Sequence, residues 1–135
     1  MRKPTASYSV FNSDRQLMVS YDIPLLSPRM IHEFLITEKY AIVPDLPVEF
    51  DIKGAIKFKR SIFHYDKNRP ARYGIWPRYS PDGKDIKWFD VAAHYCFHFG
   101  GCWNTVNDLN QEIVILYAVT LDEFYIGLQY KEHLF

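Results

Sequence analysis

Proline and glycine interrupt this chain too often for long helices to form. Pro24, Pro28, Pro44, Pro47, Pro70, Pro77 and Pro81, with Gly54, Gly74, Gly83, Gly100 and Gly101, cut it into short segments. Proline lacks the amide hydrogen that a helix interior needs, and glycine loses the most backbone entropy on ordering. The segments between the breaks are rich in β-branched and aromatic residues, which suit half-buried pleated surfaces. Eight of them read as strands: 17–21, 32–37, 40–43, 48–51, 73–76, 86–91, 94–99 and 112–119. Only 51–59 leaves room for a helical turn or two, and its Gly54 argues against anything longer.

The connections point the same way. Thr37, Glu38 and Lys39 separate two apolar runs as a tight hairpin loop, and Ser80, Pro81, Asp82 and Gly83 form a second turn. The polar stretch 104–110 reads as a solvent-exposed loop between two long strands. An all-β antiparallel meander follows, and its regular spacing fits a sandwich, a barrel or propeller blades alike. The last strand, 112–119, is almost continuously apolar, the pattern of a strand covered on both faces.

Composition narrows the function classes. The 135 residues hold 16 Lys+Arg against 16 Asp+Glu, so the formal net charge is zero and no nucleic-acid partner is expected. Hydrophobic residues make up 48% and aromatic ones 17%, enough for a core dominated by large rings. No apolar run approaches the roughly 18 residues of a membrane span, and the N-terminus lacks the apolar centre of a secretory signal, so a soluble chain is expected. Cys96 and Cys102 are too few for a disulfide scaffold and are not spaced as a zinc knuckle, which predicts reduced, inert thiols. Lys57, Lys59 and Arg60, then Lys67, Arg69 and Arg72, read as a solvated basic face. There is no phosphate-binding glycine loop, nucleophile elbow or ordered Ser, His and Asp set, and no paired-carboxylate site can be assembled.

Histidines remain the candidates. On an uninterrupted strand His94 and His98 share a face with Cys96, while Tyr95, Phe97 and Phe99 face the other way. That geometry permits a metal without requiring one. Parity aligns His32 with Met30 and Phe34 and turns Glu33 away, so an imidazole facing inward among apolar groups needs a partner.

Four motifs then carry a resemblance. Met30-Ile31-His32-Glu33-Phe34-Leu35-Ile36-Thr37-Glu38-Lys39-Tyr40, followed by Pro44-Asp45-Leu46-Pro47, resembles the M-x-H-D-F-x-x-T-E-N-Y and D-L-P segments of the carotenoid cleavage oxygenases. Arg72-Tyr73-Gly74-Ile75-Trp76-Pro77-Arg78 is similar to that family's R-F-G-x-x-P-R stretch, and Ile86-Lys87-Trp88-Phe89 to its I-R-W-F strand. Cys96-Phe97-His98-Phe99, with Trp103 beyond, is similar to its F-H-x-x-N-A-W-E element. The elements keep family order from about Tyr8 to Val119.

The resemblance implies a seven-bladed β-propeller, of which this chain holds about two antiparallel blades: residues 1–135 as a partial propeller domain, with 119–135 a divergent end. It implies non-haem Fe(II) held by four histidines, with His32 and His98 on the second and third ligand positions. His64, His94 and His133 match no ligand position. The implied reaction is the oxidative cleavage by O2 of a conjugated double bond in a carotenoid or apocarotenoid, giving aldehyde or ketone products. Access to an apolar substrate at a membrane surface, in the cytoplasm or a plastid, goes with it.

Departures from the pattern are Glu33 for Asp, Gly101 for Asn, Cys102 for a small residue and Asn104 for Glu, with the glycine pair expected to loosen the backbone after His98. The first and fourth ligands, and the glutamates that orient the imidazoles in this family, fall outside the matched stretch. The isolated chain is therefore expected to be inactive. The alternative is a truncated, non-catalytic β module that binds an apolar ligand or a full-length relative.

Overall fold

The computed structural model describes residues 5–124. Ten strands and one helix follow one another among them: β1 (Thr5–Phe11), β2 (Leu17–Pro24), β3 (Leu35–Ile36), β4 (Tyr40–Asp45), β5 (Val48–Phe50), α1 (Ile52–Phe58), β6 (Phe63–Tyr65), β7 (Ala71–Pro77), β8 (Lys87–Val91), β9 (Phe99–Val106) and β10 (Glu112–Ala118). All pairings are antiparallel. The centre is a four-stranded sheet in the order β3-β4-β7-β8, flanked by the hairpins β1-β2 and β9-β10 and by a small β5-β6 ribbon.

Strand β4 explains how the sheet is held. Ala41, Ile42 and Val43 are all buried, because alternate side chains enter two separate cores. Ala41 and Val43 meet Tyr8, Ile23 and Trp76 on the side of the β1-β2 hairpin. On the other side Ile42 joins Leu35, Tyr73, Tyr95, Cys96 and Phe124, and residues of β9 and β10 pack against this cluster.

The turns follow local chemistry. Thr37 Oγ1 accepts the amide hydrogens of Lys39 (3.2 Å) and Tyr40 (2.9 Å), closing the β3-β4 hairpin as its residues suggested. Gly83 takes φ 66° in the turn between β7 and β8, against the ring of Tyr21, where a Cβ would clash. Asp51 caps α1 by accepting the Gly54 amide hydrogen, and the helix stops after Phe58 with Lys59 in the left-handed region, φ 51°.

Several expectations are corrected. The proposed strand 32–37 shrinks to Leu35–Ile36, because residues before it pair elsewhere: Met30 N–H donates to Val48 O and Phe50 N–H to Pro28 O. Residues 31–34 cross between two pairings. The proposed strand 94–99 is not a strand either; Tyr95 makes an isolated bridge with Leu121, and β9 begins at Phe99. Residues 104–106 belong to β9 rather than to a loop, paired with β10. Strands β1 and β6 were missed by periodicity. The last strand is not covered on both faces, since Tyr117 and Val119 are exposed.

The basic-face reading fails for three residues, the first being the partly buried Arg60, which pairs with Asp51 at 2.7 Å. Arg72 and the buried Arg29 both bind Asp45, whose side chain is fully buried (2.6 Å each), and Arg72 lies over the Trp88 ring at 4.0 Å. Arg69 pairs with Glu49. Charges this deep require such partners. Residues 125–135, including His133 and most of the proposed divergent end, lie outside the described residues.

Candidate functional site

The two irregular segments noted above converge. His32 sits on the crossing between β5 and β3, and His98 immediately precedes β9. Their ring centroids are 5.0 Å apart with planes at 79°, and the Phe97 ring is edge-on to His32 at 5.5 Å. Both imidazoles are exposed, His98 to 74% of its side-chain surface. The shared face expected for His32 and Phe34 is not kept: both are exposed, but His32 meets Phe97 and His98 whereas the Phe34 ring is edge-on to Tyr8 in the other core.

Glu33 reaches the same place. Its Oε2 accepts the Phe99 amide hydrogen at 3.1 Å and stands 3.5 Å from His98 Nδ1. Its approach to His98 was not anticipated from the sequence, where strand parity turned Glu33 away from His32. Among the described residues no group of three or more His, Cys, Asp or Glu side chains is arranged to hold a metal ion.

The other two described histidines, His64 and His94, are elsewhere. His94 stacks on Tyr73; its Nδ1 is 2.9 Å from Ala92 O, which can only accept, so Nε2 accepts the Tyr73 hydroxyl at 2.8 Å. Burial raises the Tyr73 pKa well above its ordinary value, so the hydroxyl keeps the proton it donates. The predicted face joining His94, Cys96 and His98 does not exist, because Tyr95 and Cys96 are both buried while His98 is exposed. His64 lies on β6 opposite Glu49. Cys96 Sγ donates to His98 O at 2.9 Å, and burial pushes both thiols up, which keeps them protonated.

The backbone after His98 is ordered rather than loose. Tyr117 pairs with Gly101 and Ala118 with Phe99, so Gly100 is the extra residue of a β-bulge and Gly101 takes φ 148°. The bulge ends the ladder at the residue next to the imidazole.

A family model described as RPE65, retinal pigment epithelial membrane protein, matches residues 1–134. The chain belongs to the RPE65 family. Carotenoid 9,10(9',10')-cleavage dioxygenase 1 of Pisum sativum is 36% identical over 106 residues, covering 78% of this chain and 20% of that protein. The chloroplastic 9-cis-epoxycarotenoid dioxygenase NCED6 of Arabidopsis thaliana is 29% identical over 116 residues, covering 86% and 20%. This RPE65-family chain thus spans about a fifth of the length of those relatives. Its fold is also that of the lignostilbene dioxygenase of Pseudomonas brassicacearum, with a TM-score of 0.61 at 18% identity, over 89% of this chain and 30% of that one. The four-stranded sheet and flanking hairpins are therefore part of a β-propeller, and the two core clusters lie where neighbouring sheets pack face to face.

Proposed function

We propose that this chain is part of an enzyme that splits a conjugated double bond of a carotenoid or apocarotenoid with O2, giving two carbonyl products, and that His32 and His98 are two ligands of its non-haem Fe(II). The observation that carries the reading is the meeting of these imidazoles, 5.0 Å between centroids, from segments far apart in sequence. Ring nitrogens lie about 2 Å from a bound divalent ion, so two imidazoles sharing one ion hold their centroids about 5 Å apart, and the pair fits. Neutral imidazoles leave the charge of the ion undiminished. Iron, when bound, supplies the unpaired electrons that let O2 react with a closed-shell alkene. The protein groups do the positioning: His32 and His98 present nitrogen donors, and the neighbouring Phe97 ring offers apolar surface of the kind a polyene packs against.

The test is an anaerobic Co(II) titration of the chain. Binding is expected to weaken at least tenfold in His32→Ala and in His98→Ala and to persist in His94→Ala. Equal binding by all four proteins would sink the assignment. With two of four histidines, the chain given Fe(II), O2 and an apocarotenal is expected to show no cleavage above an iron-only control.

The substrate is proposed to arrive from a membrane surface. Helix α1 and its flanks expose Phe50, Ile52, Ile56, Phe58 and Ile62, with Lys53, Lys57 and Lys59 beside them, which supports contact with an anionic lipid surface. The chloroplastic relative supports a plastid setting, with the cytoplasm the other option. A second reading, a non-catalytic module that pairs with a full-length relative, is favoured by the β9-β10 hairpin, which displays the stacked Trp103 and Tyr117 rings to solvent.

A further inference from the structure

We propose that the cavity between the end of β8 and the end of β10 is a binding site for a small amine with an apolar body, its ammonium group paired with Asp122. The cavity measures about 410 Å3, and neither His32 nor His98 lines it. That volume lies in the range of small-molecule sites. The cavity is open because the side chains that meet there are short. Val91 ends β8, Ala92 and Ala93 follow it, and Ala118 ends β10, so the walls stand apart where larger residues would close them.

The walls are fixed before any ligand arrives. Tyr95 N–H donates to Leu121 O at 2.8 Å and Leu121 N–H to Tyr95 O at 2.7 Å, which joins the segment after β8 to the segment after β10. His94 is held through both ring nitrogens, by Tyr73 and by Ala92 O. Binding therefore needs little further ordering of the protein.

The polar groups select the ligand. Tyr73, the most buried lining residue, gives its hydroxyl hydrogen to His94, and neither His94 nitrogen is free. The buried end thus offers ring and methyl surface and no free donor, which suits a hydrocarbon body. Thr120 and Asp122 line the exposed end, and among the described residues neither side chain has a hydrogen-bond or ion-pair partner. A carboxylate beside a hydroxyl accepts hydrogen bonds from an ammonium head and repels an anionic one. The site uses residues outside the histidine pair, so it stands or falls apart from the iron reading.

The experiment is 1H–15N NMR of the full chain at pH 7, titrated separately with hexylammonium, 1-hexanol and hexanoate at equal ionic strength. Hexylammonium is expected to shift the amides of 91–94 and 118–122. It should bind about fivefold more tightly than hexanol, the upper end for an exposed ion pair, and at least tenfold more tightly than hexanoate. Asp122→Asn, at an exposed position, should abolish the preference for hexylammonium over hexanol and leave hexanol binding unchanged. Ala93→Leu, which fills the cavity, should weaken both ligands at least fivefold; should that variant not fold, wild type and Asp122→Asn decide alone. Shifts scattered over the surface, no saturable binding, equal affinity for the three probes, or a hexylammonium preference that survives Asp122→Asn overturns the proposal.

Discussion

Glu49 shows how a part-buried carboxylate becomes a source of pH dependence. Burial alone favours its neutral form, but the Ser27 hydroxyl (2.7 Å) and the guanidinium groups of Arg29 and Arg69 outweigh that and hold its carboxyl below the ordinary value. A lowered folded-state pKa contributes stability that is fully present above the unfolded value and is lost as pH falls through the folded one. Glu49→Gln is therefore expected to be less stable than wild type by about 1 kcal/mol at pH 7, with the gap closing below about pH 4. Urea denaturation at pH 7 and pH 3 checks this, and an equal gap at both pH values refutes it. Sequence spacing put Arg69 and Arg72 on a solvated face because it cannot see Glu49 and Asp45 approaching from another strand. His32 and His98 were legible only through motifs; the approach of Glu33 to His98 was not legible, because strand parity turned Glu33 away from His32 and residue 33 is not in a strand.

At the scale of elements, the β9 bulge is where the chain departs from the motif it resembles. Gly101, in place of Asn, has φ 148°, a backbone conformation L side chains rarely adopt, although open space surrounds it. A Cβ added at Gly100 would come no closer than 3.5 Å to Tyr117 Cβ, an ordinary van der Waals contact. Gly101→Asn should therefore cost about 1–3 kcal/mol in thermal or chemical unfolding, while Gly100→Ala stays within about 1 kcal/mol of wild type. Equal effects at the two positions would remove the backbone explanation. Most strands were visible as β-branched and aromatic runs between Pro and Gly breaks. Their ends were not, because a segment such as 94–98 has strand chemistry but among its residues Tyr95 alone forms a bridge, with Leu121.

For the whole molecule, the exposed α1 surface is the feature to test against lipid. Co-sedimentation with phosphatidylglycerol vesicles should exceed that with phosphatidylcholine, and Ile56→Glu with Phe58→Glu should reduce it at least fivefold while the fold is retained. Binding that ignores both lipid charge and the double substitution would rule out this face. Among the described residues no helix is long and apolar enough to cross a membrane, so any lipid contact through α1 is at the surface.

The sequence by itself determined that the chain would be all-β, antiparallel and divided at Pro and Gly, because proline chemistry and side-chain shape act locally. Its motifs also carried the family. Only the tertiary structure decided which face of β4 meets which core, which arginines are buried, and that His32, Glu33 and His98 share one place. Those outcomes depend on contacts between residues dozens of positions apart, and local periodicity holds no information about them.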